Sequence, residues 1–135
     1  MQILEGDCLQ MLKRLPSESI NTCITSPPYF NLRDYGVDGQ LGLEETAEEF
    51  IESMVKVFAA VKRVLRNNGT LWLNIGDTWG KDKQLLGIPW RTALALQNDG
   101  WILRSDIIWH KPNVMPSSVT DRVTNSHEYI FLLAK

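Results

Sequence analysis

The sequence predicts an α/β fold built around a largely parallel β-sheet. Short apolar runs of strand length alternate with stretches that have the period of a helix. Strands that alternate with helices form parallel sheets with right-handed crossovers. The last two apolar runs have no helix between them, so one of those two strands is expected to run antiparallel to its neighbours. The predicted order is strand, helix, strand, loop, helix, strand, helix, strand, loop, strand.

The first third of the chain is predicted to contain a strand, a short helix, a second strand and a long loop. Residues 1–6 have the character of a strand, and residues 7–16 that of a helix with Asp7 as its N-cap. Alternating residues in 19–26 indicate the second strand. The loop at 27–43 has about 17 residues, which is longer than compact domains usually contain without a function.

The clearest helix begins at Thr46, which has capping-box spacing to Glu49. An apolar face follows at three- and four-residue steps, through Phe50, Met54, Val57, Val61 and Leu65. Gly69 is expected to end this helix in the left-handed conformation. The remaining elements are a strand, a helix, a strand, a loop and a strand, at residues 70–76, 88–100, 101–110, 111–126 and 127–135. Trp72 and Trp109 are expected to pack in the core, as strand aromatics usually do.

Composition limits the class of protein. The 135 residues are 44% hydrophobic and 22% charged, which suits one globular domain with a core. No apolar run has the length of a membrane span, and the N-terminus lacks the pattern of a signal peptide. The net charge of −2 is unevenly distributed: residues 1–55 carry three basic and ten acidic side chains, and residues 56–135 carry eleven and six. A polyanion such as DNA could therefore dock on the second part.

Cysteine and motif content exclude several kinds of chemistry. Cys8 and Cys23 form no CxxC pair and lie far from His110 and His127, so no metal site is expected. Both are predicted to be reduced, largely buried thiols of a cytosolic protein. The sequence contains no GxGxxG, GxxxxGK[ST], GxSxG or HExxH, which argues against a nucleotide-phosphate loop or a hydrolase of those types.

The stretch TSPPYF, which follows the second predicted strand, is the strongest candidate for a site. Two prolines cannot continue a strand ladder, and their rigidity fixes the directions of the carbonyls of Ser26 and Pro27. Those acceptors, the Ser26 hydroxyl and the flat ring of Tyr29 suit a planar ring that bears an NH₂ group. Acceptors out of the ring plane would free the amine lone pair to attack an electrophile placed in line. Asp77, in the turn after the next strand, is expected at the same rim, where it is most simply a turn former.

TSPPY resembles the [S/D/N]-P-P-[Y/F] motif of amino-methyltransferases, which methylate exocyclic nitrogens from S-adenosylmethionine. The wider string ITSPPYFNLRDYG is similar to that of bacterial and phage DNA methyltransferases of the N4-cytosine/N6-adenine group. Residues 5–24, 61–77 and 106–135 resemble further segments of that group, in the same order. The resemblance implies a three-layer, Rossmann-like methyltransferase fold, S-adenosylmethionine as cofactor, double-stranded DNA as substrate and a cytoplasmic location in a bacterium, archaeon or phage-infected cell. A restriction endonuclease partner would also fit.

The same resemblance assigns roles to individual residues. Ser26, Pro27, Pro28 and Tyr29 match the catalytic motif that holds the amine and stacks the flipped base. Asp7 matches an acidic position near the adenine of the cofactor, although a helix N-cap explains it equally well. The positions that match a segment beside the base pocket are Trp109, Lys111 and Asn113. Serine at position 26 favours cytosine N4 as the target, and adenine N6 is the alternative.

One part of the family pattern is missing. The family also has an FxGxG cofactor segment and, about twenty residues later, an acid for the ribose; the sequence contains neither. In the permuted order this segment follows the catalytic part, so residues 1–135 are expected to be an incomplete domain. A second segment or chain would supply the cofactor half. A non-catalytic half-domain that binds DNA or a partner is an alternative. A glutamine-amide methyltransferase is disfavoured, because its cofactor segment would have to precede Ser26.

Overall fold

The computed structural model describes residues 2–135, which form a four-stranded sheet and three helices. The helices span Cys8–Lys13 (α1), Ala47–Val64 (α2) and Ile88–Asn98 (α3). The strands span Ile20–Thr25 (β1), Leu65–Ile75 (β2), Ile102–His110 (β3) and His127–Ala134 (β4). No helix within the described residues is both long and apolar enough to cross a membrane.

The order of strands in the sheet is β1-β2-β4-β3. β1 and β2 are parallel, and β4 runs antiparallel to both β2 and β3, as the sequence predicted for one of the last two strands. Thr25 pairs with Leu73, and Ile75 pairs with Tyr129. This register brings the carboxyl ends of β1 and β2 to the same rim as the beginning of β4.

One face of the sheet carries the core. The predicted capping box of α2 is present, with Thr46 and Glu49 each accepting from the other's backbone N–H. The amphipathic face that follows packs with α3 against the sheet, because alternate strand residues point to one side. The fully buried strand residues of the core include Leu65, Leu71, Leu73, Ile75, Phe131 and Leu133.

The opposite face of the sheet is open. Ile24 of β1 is 78% exposed and Trp109 of β3 is 50% exposed, and both border a shallow cavity with Trp72 and Ile130. The prediction that Trp109 is a core residue is therefore wrong for the described chain. The pattern of β3 is that of a strand, as predicted. No helix among residues 2–135 covers this side of the sheet, however, so no element packs over the ring of Trp109.

Three other expectations from the sequence are corrected. Residues 2–5 of the first predicted strand are not a strand, because β1 pairs only with β2 among the described strands and leaves them no ladder; Met1 lies outside the described residues. Gly69 is not a left-handed C-cap: α2 ends at Val64 and passes directly into β2. A Cβ on Gly69 would lie 2.8 Å from the carbonyl oxygen of Arg66, so the glycine permits a tight bulge instead. The thiols of Cys8 and Cys23 are exposed and half-buried respectively, since α1 and β1 lie at an edge.

Candidate active site

The SPPY segment leaves the sheet at the end of β1. Residues 26–28 have no strand pairing, as expected for two successive prolines. The segment is anchored by the next residue, Phe30, which is 6% exposed and packs against Phe50 of α2 with 5.6 Å between ring centroids. Gly42 closes the loop, because its carbonyl accepts from the backbone N–H of Asn31 at 2.7 Å. The motif is therefore held at one end by its continuity with β1 and at the other end by the packing of Phe30 against α2.

Tyr29 lies against the end of β2. A Cβ on Gly76 would be 2.5 Å from Cε2 of Tyr29, so only a glycine allows the ring to lie this close to the backbone. Gly42 is similarly close on the other side, where a Cβ would be 3.0 Å from the Tyr29 carbonyl oxygen, and its φ of +96° also favours glycine. Two glycines from different loops thus define the position of the tyrosine.

The Tyr29 hydroxyl is the centre of a hydrogen-bond network. It lies 2.7 Å from Oε2 of Glu128 on β4 and 3.1 Å from Oδ1 of Asn74 on β2. The Ser26 hydroxyl lies 3.4 Å away and donates to it. Asn74 Nδ2 donates to Glu128 Oε2 and to the Tyr129 carbonyl, at 3.2 and 3.1 Å. Residues that are far apart in sequence therefore meet at one rim of the sheet.

Glu128 is the only carboxylate in this network within the described chain, and it is also ion-paired with Lys111. Burial raises the pKa of Glu128, but hydrogen bonds from Lys111, Tyr29 and Asn74 outweigh burial and lower it overall. Burial, together with the hydrogen bond to Glu128 and its charge, raises the pKa of Tyr29 to about 12. At neutral pH the carboxylate is ionised and the phenol keeps its proton.

Residues 26–28 line two cavities. The first, which we call the Tyr29 cavity, has a volume of about 360 Å³ and is also lined by Tyr29, Arg33, Tyr35 and Glu128. The second, which we call the apolar cavity, has a volume of about 440 Å³. Besides residues 26–28, its walls come from α1, β1, α2 and the segments that contain Leu4 and Leu41, and they are mostly apolar, including Cys8, Met11 and Phe58. The SPP segment thus borders both cavities.

The apolar cavity would fit part of a nucleoside cofactor. Its carbon-rich walls suit an adenine ring, and Gly6 and Cys8, the neighbours of Asp7, line it. Asp7 itself is exposed, and its Oδ1 accepts from the backbone N–H of Gln10 at 3.0 Å as the N-cap of α1. Its second carboxylate oxygen remains available for an adenine. The described residues that line this cavity offer few groups for ribose hydroxyls or for a carboxylate.

The other predicted pocket residues lie in different places. Lys111 belongs to the network through Glu128. Trp109 borders the shallow cavity of about 380 Å³ on the open face, together with Ser26 and Asn74. Asn113 is exposed in the loop 111–126 and lines neither the Tyr29 cavity nor the apolar cavity.

The family model for DNA methylases of the N6/N4 type matches residues 20–135. The chain belongs to this DNA methylase family. Among curated relatives, it is 48% identical to the Type II methyltransferase M.Cfr9I of Citrobacter freundii, over 98% of this chain and 54% of that protein. It is 47% identical to M.SmaI of Serratia marcescens, over 99% of this chain and 56% of that protein. The chain therefore spans about half the length of these relatives.

Solved structures agree with the fold. A protein from Thermus thermophilus, described as a DNA modification methylase complexed with S-adenosyl-L-methionine, is 28% identical with a TM-score of 0.76, over 96% of this chain and 53% of that one. The PvuII cytosine-N4-specific DNA methyltransferase, 22% identical over 96% of this chain and 47% of that one, also has a TM-score of 0.76, a likeness in fold alone. The Rossmann-like methyltransferase fold implied by the sequence resemblance is confirmed.

Asp77 of the methylase chain has a structural role in the rim. Its Oδ1 accepts from the backbone N–H of Thr78 at 2.9 Å and from that of Ile88 at 3.0 Å. The second bond caps α3, whose N-cap residue Gly87 has no side chain to do so. The turn-former interpretation of this residue is confirmed.

Sequence reasoning missed three residues of the candidate site: Asn74, Gly76 and Glu128. Asn74 is a polar residue in the otherwise apolar run LWLNI, and that interruption was a usable signal. Glu128 is the second residue of an apolar strand and looks like an ordinary strand boundary. Its role becomes visible only when β4 pairs with β2, because that pairing places it beside Asn74 and Tyr29.

Proposed function

We propose that this chain is the catalytic part of a site-specific DNA methyltransferase that transfers a methyl group from S-adenosylmethionine to the exocyclic amine of a flipped base. One observation carries the proposal: residues 26–28 line both the Tyr29 cavity and the apolar cavity. A methyl donor in the apolar cavity and an amine in the Tyr29 cavity would both lie against this segment and would meet at its edge. Holding two reactants in such a geometry is a major source of rate enhancement.

The base would occupy the Tyr29 cavity. Its ring stacks on Tyr29, and its amine hydrogens are accepted by the Ser26 hydroxyl oxygen and the Pro27 carbonyl. Acceptors outside the ring plane favour a more tetrahedral nitrogen, whose lone pair is then free to attack. The bound cofactor supplies an electrophilic methyl group. The nitrogen–methyl bond would form as the sulfur–methyl bond of the cofactor breaks, which would leave a neutral thioether, and the methylated amine would release one proton to solvent.

Direct transfer needs no covalent enzyme intermediate, and the cysteines support this. Neither Cys8 nor Cys23 lines the Tyr29 cavity. Burial raises the pKa of the Cys23 thiol, and partial desolvation together with the nearby charge of Asp7 raises the pKa of the Cys8 thiol, so neither is activated as a thiolate.

Cytosine N4 is the proposed target atom, and adenine N6 is the alternative. The serine at position 26 favours cytosine by resemblance to the serine form of the motif. The experiment is methyl transfer to duplex DNA by the gene product that carries this chain, followed by mass spectrometry of the released nucleosides. N4-methylcytosine is expected; N6-methyladenine would overturn the choice of cytosine.

We propose that a further segment or a second chain completes the domain and the cofactor site. β1 pairs on one side only among the described strands, so its free edge offers unpaired backbone groups beside the apolar cavity. Calorimetry with S-adenosylmethionine on this 135-residue chain and on the longest available gene product tests the point. Binding by the longer product alone is expected, in which case the short chain is inactive by itself. Binding by neither would favour the non-catalytic half-domain.

The biological partners follow from the same proposal. The curated relatives are named Type II methyltransferases, which favours duplex DNA as substrate and a restriction endonuclease of the same sequence specificity as a partner. The enzyme would act in the cytoplasm of a bacterium, an archaeon or a phage-infected cell. Genomic DNA from cells that express it should then resist cleavage by one particular restriction enzyme.

A further inference from the structure

We propose that Glu128 is a positioning residue: it fixes the direction of the hydrogen bonds from Ser26 through Tyr29, so that the lone pairs of Ser26 Oγ face the amine. The inference rests on the proposed function and concerns the same site. It adds a residue that lies outside the SPPY motif, 99 positions from Tyr29 in the sequence.

The first step is that Tyr29 has one hydroxyl hydrogen and two acceptors within reach. Glu128 Oε2 is 2.7 Å away and Asn74 Oδ1 is 3.1 Å away. A charged acceptor at the shorter distance forms the stronger bond. The hydrogen therefore points to Glu128.

The second step is that Glu128 is itself held in place. One carboxylate oxygen is ion-paired with Lys111, and the other accepts from Asn74 Nδ2 at 3.2 Å. The Asn74 amide has its orientation set by a second bond, from Nδ2 to the Tyr129 carbonyl at 3.1 Å. With both neighbours acting as donors to it, Glu128 presents only acceptor lone pairs to the Tyr29 hydroxyl.

The third step concerns Ser26. Since the Tyr29 hydrogen points to Glu128, the 3.4 Å contact between the two hydroxyls leaves Tyr29 as the acceptor and Ser26 as the donor. The serine hydrogen is then directed away from the Tyr29 cavity. Both lone pairs of Ser26 Oγ remain for an incoming NH₂ group, whose hydrogens need acceptors.

The test is a double-mutant cycle. In Glu128→Gln, Lys111 retains the amide oxygen as its partner, so the new NH₂ faces the Tyr29 oxygen and competes with Ser26 as a donor to it. The tyrosine hydrogen then has Asn74 Oδ1 at 3.1 Å and Ser26 Oγ at 3.4 Å as acceptors, so the direction of the Ser26 hydrogen is no longer fixed. We expect kcat for methyl transfer to fall about tenfold, the cost of one misdirected hydrogen bond, with Kd for DNA unchanged. In a Tyr29→Phe background the same substitution should cost less than about twofold, because there is no hydroxyl to misdirect.

A purely structural role predicts something else: an equal loss in both backgrounds, or a loss that follows the fall in Tm. Either result would overturn the inference, as would a Glu128→Gln enzyme of normal kcat.

Glu128→Asp keeps a charge opposite Lys111 but withdraws from Tyr29, so it serves as the second variant if Gln fails to fold, with the same expected dependence on background. Glu52→Gln, an exposed glutamate of α2, is the matched control. If the wild-type enzyme transfers no methyl group, the proposed function fails and this inference with it; if only the background dependence is absent, the proposed function stands.

Discussion

The hydroxyl of Tyr29 lies 2.7 Å from Oε2 of Glu128, so the aromatic residue of the SPPY motif is hydrogen-bonded to the last strand of the chain. This hydrogen bond forms because β4 enters the sheet antiparallel beside β2, which brings the first residues of β4 to the rim where β1 ends. Substitutions at the tyrosine, at its neighbours and at the glutamate can test each part of this arrangement.

Replacing Gly76 by alanine should displace the Tyr29 ring. The new Cβ would lie 2.5 Å from Cε2 of the tyrosine, a contact that forces the ring or β2 to move. We expect a loss of about 1–3 kcal/mol in the free energy of unfolding, typical of overpacking, and a large loss of methyl transfer. Urea denaturation and a methyl-transfer assay measure the two effects. Gly80→Ala is the matched control, because its Cβ meets the movable end of the Asp82 side chain; equal effects from both variants would count against the close packing of Tyr29.

Tyr29→Phe and Tyr29→Ala should separate stacking from hydrogen bonding. The phenylalanine keeps the flat face and loses the hydroxyl, so the flipped base still binds while kcat falls about tenfold. The alanine loses the face too, and base flipping should weaken by about 1–3 kcal/mol, the usual contribution of base–aromatic stacking. Fluorescence of 2-aminopurine at the target position reports flipping. Retention of flipping by Tyr29→Ala would show that this ring is not the stacking platform.

Phe30→Ala should remove the contact that anchors the SPPY motif to α2 and so lower the free energy of unfolding. Phe30 is buried against Phe50, and truncation of a buried phenylalanine usually costs about 3–5 kcal/mol. Leu32→Ala, two residues further along and largely exposed, should cost less than about 1 kcal/mol. Chemical denaturation compares them. Similar values for the two variants would mean that Phe30 does not anchor the segment.

The stability of the fold should depend on pH through Glu128. Its pKa is lowered in the folded state below the value of 4.5 for a free glutamate, so the unfolded state takes up a proton first as pH falls. The stabilisation from Glu128 is therefore complete above pH 4.5 and is lost as pH falls through the folded-state pKa. Denaturant titrations from about pH 7 to about pH 3 should show the difference between wild type and Glu128→Gln shrinking in that acid range. A difference that stays constant with pH would contradict the lowered pKa.

The elements that follow local chemistry were predictable from the sequence. The capping box and apolar face of α2 are local patterns, and the prolines after β1 end a strand wherever they occur. The SPPY motif is local as well, so the candidate catalytic segment could be located from the sequence. The helix that follows Gly87 could be predicted from Pro89, which suits the first turn.

What the sequence could not supply depends on tertiary pairing. Glu128 and Asn74 become partners only through the antiparallel register of β4 and β2. The sequence predicts Trp109 as a core residue because strand aromatics normally have a layer above them. In the described chain that side of the sheet is open, so the ring is exposed. Residues 2–5 read as a strand because of their composition, but a strand also needs a neighbour to pair with.

The most direct test of the central claim, that residues 26–28 hold the reacting amine between the two cavities, is the single-turnover rate of methyl transfer to duplex DNA by wild type and by Ser26→Ala. The gene product that carries the chain is used, with DNA affinity and Tm measured on the same samples. We predict that wild type produces N4-methylcytosine and that Ser26→Ala lowers the rate by at least about tenfold while DNA affinity and Tm are unchanged. An unchanged rate in Ser26→Ala would contradict the account.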